Sequence, residues 1–243
     1  MSKLYVVGIG PGEYEQMTIK AVQTLKEVDI IVGYTVYVDL VKEHFADKQF
    51  MTTPMKKEVD RCIMAFEEAN KGKKVAMICS GDAGVYGMAG LIYEVGINFP
   101  GIEIEIIPGV TAATSGAAVL GAPLIHDFCL ISLSDLLTSW EVIERRLVNA
   151  AEADFSICLY NPSSKKRHDY LQKACDLILQ HKPAETFCGI VGNIGREGET
   201  VEVMTLAQLR DTKVDMFTTV FIGTKQTRNI DGKMVTSRGY KNV

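Results

Sequence analysis

The sequence predicts an α/β protein made of two α/β domains, and three observations lead to this class. In the first half, short apolar segments of strand length alternate with segments whose apolar residues recur at helical spacing. Gly-containing segments follow three of these predicted strands. The second half adds strands joined by an Asp231-Gly232 hairpin signal, which indicates mixed pairing. Gly and Pro cluster near residues 121–127, so we predict domains 1–123 and 124–243.

The first domain is predicted to contain a mostly parallel sheet covered by helices. Its predicted strands are Lys3–Val7, Asp29–Val32, Lys74–Cys79 and Ile102–Ile107. Its predicted helices are Thr18–Val28, Lys56–Asn70, Val85–Val95 and an Ala-rich helix after Ala112. The first helix has its apolar residues three positions apart, and the last strand alternates apolar residues with Glu103 and Glu105. Strands that alternate with helices in this way form parallel sheets.

The second domain is predicted to mix strand directions. The predicted strands are Phe128–Ser132, Asp154–Tyr160, Thr186–Val191, Glu199–Met204 and Thr218–Ile222. The predicted helices are Trp140–Ala150, His168–Gln180 and a short one near Leu206–Arg210. A closing hairpin is predicted over Asn229–Val235, because Asp-Gly favours a tight two-residue turn.

Composition narrows the functional classes. The chain has 243 residues, of which 47% are hydrophobic and 23% charged, as is typical of a soluble globular protein. Lys and Arg number 26 against 30 Asp and Glu, so the net charge is −4. This balance argues against nucleic acid as a partner. The uncharged stretch Ile106–Ile125 contains Pro and Gly, so we interpret it as packed interior and expect no membrane partner.

The cysteines and histidines predict no metal site. None of the six cysteines forms a Cys-x-x-Cys pair, and several lie in apolar runs. We therefore predict buried free thiols in a reducing compartment, which favours a cytoplasmic protein. The four histidines have no ligand spacing with each other or with cysteine, and no iron–sulfur ligand set is visible.

Three Gly-containing loops at predicted strand ends form the candidate ligand site. They are Gly8–Gly12, Ser80–Gly84 and Pro108–Thr111. In open α/β sheets, ligands bind beyond the carboxyl ends of the strands, where Gly lets a ligand approach the backbone. A tight turn explains any one of these loops equally well. Three of them in one half of the chain favour a binding site.

The first loop does not match a dinucleotide or phosphate site. A third glycine is required at position 13, which is Glu13, and Pro11 removes a backbone donor. The second predicted strand ends in Gly33-Tyr34, with no acidic residue there for a ribose. No Gly-Lys-Ser/Thr follows a glycine run. The sequence therefore argues against a Rossmann-type oxidoreductase.

These loops resemble those of the tetrapyrrole methylases. The matching motifs are Val7-Gly8-Ile9-Gly10-Pro11-Gly12, Ser80-Gly81-Asp82-Ala83-Gly84-Val85-Tyr86-Gly87 and Pro108-Gly109-Val110-Thr111-Ala112. Motifs of the second half are similar to the precorrin-3B and cobalt-factor III C-17 methyltransferase branch of that family. They are His126-Asp127-Phe128, Ile131-Ser132-Leu133-Ser134-Asp135, Trp140–Arg146, Leu159-Tyr160-Asn161-Pro162 and Gly195-Arg196-Glu197-Gly198. The resemblance covers essentially the whole chain.

The resemblance implies a methyltransferase of cobalamin biosynthesis that uses S-adenosyl-L-methionine (SAM). Relatives hold SAM folded in a cleft between two α/β domains, methylate C-17 and contract the macrocycle. The implied cofactor residues are Pro11, Ser80, Gly81, Asp82, Val85, Thr111, Ala112, Tyr160, Asn161 and Asn193. Structural roles compete with this assignment: Asp82 suits an Asx-turn or a helix cap, Thr111 suits a cap, and Tyr160-Asn161-Pro162 suits a turn.

The implied substrate carries many carboxylates, which basic side chains recognise. The candidate substrate-binding residues are Lys165, Lys166, Arg167 and Arg196, although a solvated basic face explains each of them too. For proton transfer during ring contraction, the candidate catalytic residues are His126, Asp127, Ser132 and Asp135. No protein-bound metal is expected, and any cobalt belongs to the substrate.

Several alternatives stay open at this point. The same fold serves uroporphyrinogen methylases and the diphthine synthases, although the motifs His126-Asp127-Phe128 and Ser132-Leu133-Ser134-Asp135 argue against both. A methylase of another tetrapyrrole intermediate and a non-catalytic SAM-binding module with the same loops remain as alternatives. Relatives are homodimers, so the resemblance implies a homodimer. The Gly- and Ala-rich segment Thr111–Leu120 is a candidate for packing against another subunit.

Overall fold

The computed structural model describes residues 2–164 and 166–241. Their contacts divide the chain into two compact units, and the boundary along the chain lies between Thr111 and Ala112. This division precedes the predicted boundary at residue 123. The reason is that the Ala-rich helix Ala112–Leu120 packs its buried residues among side chains of the second unit, including Phe221 and Met234.

The first unit contains the parallel sheet that the sequence predicts. Its strands are β1 (Ser2–Gly8), β2 (Ile30–Tyr34), β3 (Gln49–Thr53), β4 (Val75–Cys79) and β5 (Ile102–Ile107). Their order is β3-β2-β4-β1-β5, and every pairing is parallel. The helices are α1 (Ile19–Glu27), α2 (Thr35–Val41), α3 (Glu58–Asn70) and α4 (Ala89–Gly96), with a 3-10 turn at Tyr14–Gln16.

Two hydrophobic clusters cover the two faces of this sheet. Leu4 and Val6 of β1 pack in one cluster with Phe66 of α3. Val7 packs in the other cluster with Leu25 of α1. Alternate strand residues point to opposite faces, so continuous apolar strands such as β1 bury both faces under helices.

Three features of the first unit differ from the sequence prediction. Helix α2 and edge strand β3 were not predicted, because β3 is polar and half exposed and lacks an apolar pattern. Helix α4 begins at Ala89 rather than Val85. The intervening residues form turns in which Tyr86 takes a positive φ of 53°, a conformation that cannot continue a right-handed helix.

The second unit has the mixed architecture that was predicted. Its strands are β6 (Gly121–Ala122), β7 (Phe128–Ser132), β8 (Ser156–Tyr160), β9 (Phe187–Gly192), β10 (Thr200–Thr205), β11 (Thr218–Ile222), β12 (Thr227–Ile230) and β13 (Lys233–Thr236). Five of them form a sheet in the order β10-β9-β11-β8-β7, and β12-β13-β6 form a second sheet. The helices are α5 (Ala112–Leu120), α6 (Trp140–Glu152), α7 (Tyr170–Ile178) and α8 (Leu206–Arg210).

The hairpin and the small-residue helix both have local explanations. Asp231 and Gly232 have φ angles of 49° and 79°, which confirms the predicted two-residue turn between β12 and β13. In α5, a Cβ on Gly116 would lie 2.9 Å from side-chain atoms of both Ile194 and Phe221. The small residues of α5 therefore allow close packing inside the second unit.

The six cysteines are free thiols, and five are buried, as predicted. Burial raises the pKa of Cys79 to about 11 and that of Cys62 to about 12. Across residues 2–164 and 166–241, no group of three His, Cys, Asp or Glu side chains is placed to hold a metal ion. No helix in this part of the chain is long and apolar enough to cross a membrane.

Candidate functional site

The three predicted loops meet at the carboxyl edge of the parallel sheet. Strand β1 ends level with β4, where Gly8 is the register partner of Cys79. Beyond these strands, Gly10 and Gly81 exchange two backbone hydrogen bonds of 3.1 and 2.7 Å. The first loop is thereby joined directly to the second.

Gly8 and Gly109 allow the third loop, Pro108–Thr111, to pack directly on the first two loops. A Cβ on Gly8 would lie 2.7 Å from the nitrogen of Gly109 and from the oxygen of Gly81. A Cβ on Gly109 would collide with the same Gly81 oxygen. Backbone therefore packs on backbone here, which accounts for both glycines without a ligand.

The Asp82 carboxylate links the second loop to the third. One oxygen accepts a hydrogen bond from the Gly84 nitrogen at 2.8 Å, and the other accepts from the Gly109 nitrogen at 2.9 Å. The first bond is the Asx-turn considered above. Asp82 is not a helix cap, because α4 begins only at Ala89. The second bond, between loops, was not visible in the sequence.

The remaining cofactor candidates of the first unit lie in the same loops. Pro11 is buried, whereas Ser80, Val85 and Thr111 are half-buried. None of the three loops contains Lys or Arg. Hydroxyls, backbone groups and a single engaged carboxylate suit the neutral and zwitterionic parts of SAM better than a phosphate. The donor set therefore fits SAM.

In the second unit, strand ends gather the other predicted residues. Strands β7, β8 and β9 run in the same direction, since β8 and β9 are both antiparallel to β11. Ser132, Tyr160 and Asn193 thus follow or end strands at one edge. The Tyr160 hydroxyl accepts a hydrogen bond from the Ala113 nitrogen at 2.8 Å, in the first turn of α5.

The turn residues at this edge have specific conformations. Asn161 and Asn193 take positive φ angles of 53° and 52°, which Asn tolerates better than most residues. The Asn193 carbonyl accepts from the Arg196 nitrogen at 2.9 Å, and the Arg196 guanidinium lies 5.9 Å from the centre of the Phe217 ring. The turn interpretation of Tyr160-Asn161-Pro162 therefore holds at Asn161.

Two of the four candidate catalytic residues come together in a polar cluster. The Ser132 hydroxyl accepts hydrogen bonds from the Ser134 nitrogen at 3.2 Å and from the Asn161 amide at 3.0 Å. Asp135 follows in the same loop and pairs with Arg167 at 3.0 Å. We call this group, with Tyr170, the Ser132–Asp135 cluster.

Tyr170 belongs to this cluster and was not predicted. Its hydroxyl donates to the Asp135 carboxylate at 2.6 Å. This hydrogen bond makes the largest contribution to lowering the pKa of Asp135, and the bond from Arg167 makes the next largest. The same Tyr170–Asp135 bond raises the pKa of Tyr170. The Trp140 ring packs against the Tyr170 ring, with 4.5 Å between the ring centres. The only sequence signal was an aromatic residue at the start of α7, which is too common to single out.

The other two candidate catalytic residues lie elsewhere. His126 and Asp127 precede β7, whereas Ser132 ends it, so the strand separates them by roughly 15 Å. The His126 ring bonds to the Ser237 carbonyl at 2.8 Å. The four residues therefore do not form one constellation around a single reacting atom.

The candidate substrate-binding cations differ in their surroundings. The Arg167 guanidinium is held by Ser164 and Ser134 as well as by Asp135, so it is engaged within the unit. Lys166 is exposed and Arg196 is half-buried. Lys165 lies outside the described residues.

The sequence identifies the class of protein. Residues 3–210 match the family of Tetrapyrrole (Corrin/Porphyrin) Methylases, and the chain belongs to this family. Tetrapyrrole methylases use SAM. The family resemblance deduced from the three loops is thereby confirmed.

Similar proteins narrow the class further. The chain is 49% identical to the probable cobalt-factor III C(17)-methyltransferase of Salmonella typhimurium, over 98% of this chain and 99% of that protein. It is 41% identical to the precorrin-3B C(17)-methyltransferase of a Sinorhizobium species, over 94% and 91%. In the cobalt-factor III methyltransferase of Priestia megaterium, which is 43% identical, it spans only 45% of a longer protein.

Solved structures agree with the fold described here. The methyltransferase CobJ superposes with a TM-score of 0.89 at 33% identity, covering 98% of this chain and all of that one. A uroporphyrin-III C-methyl transferase from Thermus thermophilus with bound S-adenosylhomocysteine has a TM-score of 0.69 at 20% identity, which shows the shared fold.

Proposed function

We propose that this protein transfers a methyl group from SAM to C-17 of a precorrin-3B or cobalt-factor III type tetrapyrrole, coupled to ring contraction in cobalamin biosynthesis. The observation that carries the proposal is the match over 99% of the length of the Salmonella C(17)-methyltransferase. Two of the motifs that belong to this branch, Ile131–Asp135 and Leu159–Pro162, contribute Ser132, Asp135 and Asn161 to the hydrogen bonds of the Ser132–Asp135 cluster, which supports the same assignment.

The three joined loops of the first unit would hold the cofactor. SAM supplies a methyl group on a positively charged sulfur. Backbone groups around Pro11, Gly81 and Thr111, together with the Ser80 hydroxyl, would fix its polar ends. Asp82 would keep the loops in place through its bonds to Gly84 and Gly109. Tyr160, Asn161 and Asn193 are proposed as further contacts. Alignment of this kind is the main contribution a protein makes to methyl transfer.

The Ser132–Asp135 cluster is proposed to assist ring contraction. Because its pKa is lowered, Asp135 is ionised at neutral pH, and because its pKa is raised, Tyr170 stays protonated. The cluster thus offers a fixed carboxylate, a phenol and a serine hydroxyl for proton transfers on the macrocycle. His126 and Asp127, at the other end of β7, would act independently of it.

We further infer a cytoplasmic homodimer. The six free thiols favour a reducing compartment. The family resemblance implies two subunits, and sedimentation of the purified protein at several concentrations tests the dimer. A single species of monomer mass at all concentrations would contradict it.

The decisive experiment combines binding and mass spectrometry. We expect S-adenosylhomocysteine, but not NAD, to bind the protein in a calorimeter. We also expect a cobalt-loaded, C-20-methylated tetrapyrrole to gain the mass of one CH2 group in the presence of SAM. Transfer to a cobalt-free substrate alone would place the protein in the oxygen-dependent route. Binding without transfer to either substrate would favour a non-catalytic SAM-binding module.

A further inference from the structure

Arg61 is a buried cation that no function assigned so far uses. It lies in the first turns of α3, and only 4% of its surface is exposed. Its Nε donates to the Thr53 hydroxyl at 2.9 Å. Its Nη2 donates to the carbonyls of Thr53 and Pro54 at 3.4 and 3.1 Å. The guanidinium also lies 5.8 Å from the centre of the Tyr34 ring.

All of these partners are electrically neutral. Within residues 2–164 and 166–241, no carboxylate forms an ion pair with Arg61, although buried charges are normally paired. Lys182 provides the contrast, since it is equally buried but pairs with Asp154 at 2.6 Å. In this part of the chain, Gln16 Oε1 is the one side-chain polar atom that is both fully buried and without a hydrogen-bond partner. The hydrogen bonds of Arg61 use Nε and Nη2, so Nη1 has no partner among the described residues. Because Nη1 is nevertheless not fully buried, it keeps contact with solvent.

Arg61 faces the same sheet edge as the glycine loops. Tyr34 and Thr53 are register partners at the carboxyl ends of β2 and β3. Strand β2 also pairs with β4, and continuing that register places Tyr34 level with Cys79 and hence with Gly8. Two strand spacings separate Tyr34 from Gly8, which is roughly 10 Å. A ligand bound beyond this edge can reach both the loops and Arg61.

A second unpaired cation lies beside this position. Lys56 is exposed, and its ammonium forms no ion pair with any residue that the structure describes. Lys56 lies two residues after Pro54 in the chain. Its backbone nitrogen donates a hydrogen bond to the Glu58 carboxylate at 3.1 Å, and its φ angle is positive, at 68°. The adjacent Lys57, by contrast, pairs with Asp60 at 2.9 Å. Arg61 and Lys56 are thus two neighbouring positive charges that form no ion pair with the residues that the structure describes.

We propose that Arg61 binds a peripheral carboxylate of the tetrapyrrole substrate through Nη1, with Lys56 adding positive charge at the rim. This inference depends on the proposed function, because it takes the acidic tetrapyrrole as the ligand. Arg61 holds the carboxylate and takes no part in the bond changes. The neutral partners fix its guanidinium before the substrate arrives, so little side-chain freedom is lost on binding.

The test separates substrate binding from cofactor binding. In Arg61→Met, we expect the KM for the cobalt-loaded tetrapyrrole to rise about tenfold to a hundredfold, the range for a lost hydrogen bond between charged groups. We expect the Kd for S-adenosylhomocysteine to stay within about twofold, because the loops are untouched. Arg61→Lys keeps the charge and should recover part of the loss, and Lys56→Met should give a smaller rise in KM.

Controls fix how each result is interpreted. Lys57→Met removes a lysine that lies next to Lys56 but pairs with Asp60. It should leave the KM for the tetrapyrrole unchanged. Esterifying the substrate carboxylates should raise the wild-type KM and remove the difference between wild type and Arg61→Lys. A fall in S-adenosylhomocysteine affinity with an unchanged KM would assign the anion to the cofactor carboxylate and overturn the proposal.

Two further outcomes separate this inference from the proposed function. If the wild-type protein methylates the tetrapyrrole and both Arg61 variants keep its KM, the role of Arg61 is only structural. It then connects α3 to the end of β3 through its hydrogen bonds, and the inference is wrong. If the wild-type protein methylates no tetrapyrrole, the proposed function itself fails. Should Arg61→Met not fold, Arg61→Lys and the esterified substrate give the same decision.

Discussion

Asp82 joins two loops of the candidate cofactor site with a single carboxylate. Its two oxygens accept from Gly84 and Gly109 at 2.8 and 2.9 Å. We expect Asp82→Ala to lower the free energy of unfolding by about 2 kcal/mol, because the half-buried Gly109 donor loses its partner. The affinity for S-adenosylhomocysteine should fall as well. Urea unfolding and calorimetry measure the two effects.

A surface carboxylate provides the control for this prediction. Asp39 pairs with Lys42 at 2.7 Å, and both side chains are about half exposed. Because exposed ion pairs contribute little, Asp39→Ala should change neither stability nor affinity appreciably. Equal effects of the two substitutions would show that Asp82 has no special role in joining the loops.

Tyr170 controls the charge state of Asp135. Tyr170→Phe removes the hydrogen bond that contributes most to lowering the pKa of Asp135, so that pKa should rise toward its usual value. A carboxyl-detected NMR titration measures the midpoint. Tyr93→Phe removes a phenol from an exposed side chain and should leave the midpoint unchanged. An unchanged midpoint in Tyr170→Phe would contradict the assignment.

The same substitution predicts a pH dependence of stability. The folded pKa of Asp135 lies below its unfolded value of about 3.9. Its contribution is therefore complete above about pH 4 and disappears as the pH falls through the folded pKa. We expect wild type and Tyr170→Phe to differ most in stability above about pH 4 and to converge in more acidic solution. Denaturant unfolding across this range measures the convergence.

At the scale of elements, α5 and α4 offer a matched pair of glycines. An Ala usually stabilises a helix relative to Gly by about 0.5–1 kcal/mol. In α5, however, the new Cβ of Gly116→Ala would press on Ile194 and Phe221. We expect this variant to lose about 1 kcal/mol of stability through overpacking. In α4, a Cβ at Gly90 would have no atom of the described residues within 4 Å beyond its chain neighbours and the helix's own backbone, so Gly90→Ala should gain stability.

Chemical denaturation of both variants decides between packing and propensity. A gain in stability at Gly116 as well as at Gly90 would mean that Ile194 and Phe221 move aside easily. Opposite signs would show that the packing of α5 against Ile194 and Phe221 requires Gly at position 116.

At the scale of the whole molecule, ligand binding should appear as stability. A ligand that binds only the folded protein, at 100 times its Kd, adds about 2.7 kcal/mol. For a chain of this length that corresponds to a rise in Tm of roughly 5–10 °C. We expect S-adenosylhomocysteine to produce such a rise in scanning calorimetry and NAD to produce none. A rise with NAD alone would contradict the interpretation of the first loop.

The fold was largely predictable, and the exceptions have physical causes. Strands such as β7 and β11 and helix α8 were predicted with their observed bounds. Strand β11 buries Val220 and Ile222 in a core, and α8 buries Leu206 and Leu209 in the same core. The half-exposed edge strand β7 was recognised by its apolar run Phe128–Ile131. Edge strand β3 and short helix α2 escaped prediction, because a half-exposed edge needs no alternation and a single buried face on seven residues gives little signal.

The sequence by itself determined the family, the glycine loops and the absence of a phosphate motif, because these depend on residue identity at fixed spacing. Only the tertiary structure decided which distant side chains meet. It brought Tyr170 to Asp135, placed His126 at the far end of β7, and buried Arg61 with no anionic partner among residues 2–164 and 166–241. Such contacts join residues that are far apart in the chain, so they follow from strand order and packing and leave no local pattern in the sequence.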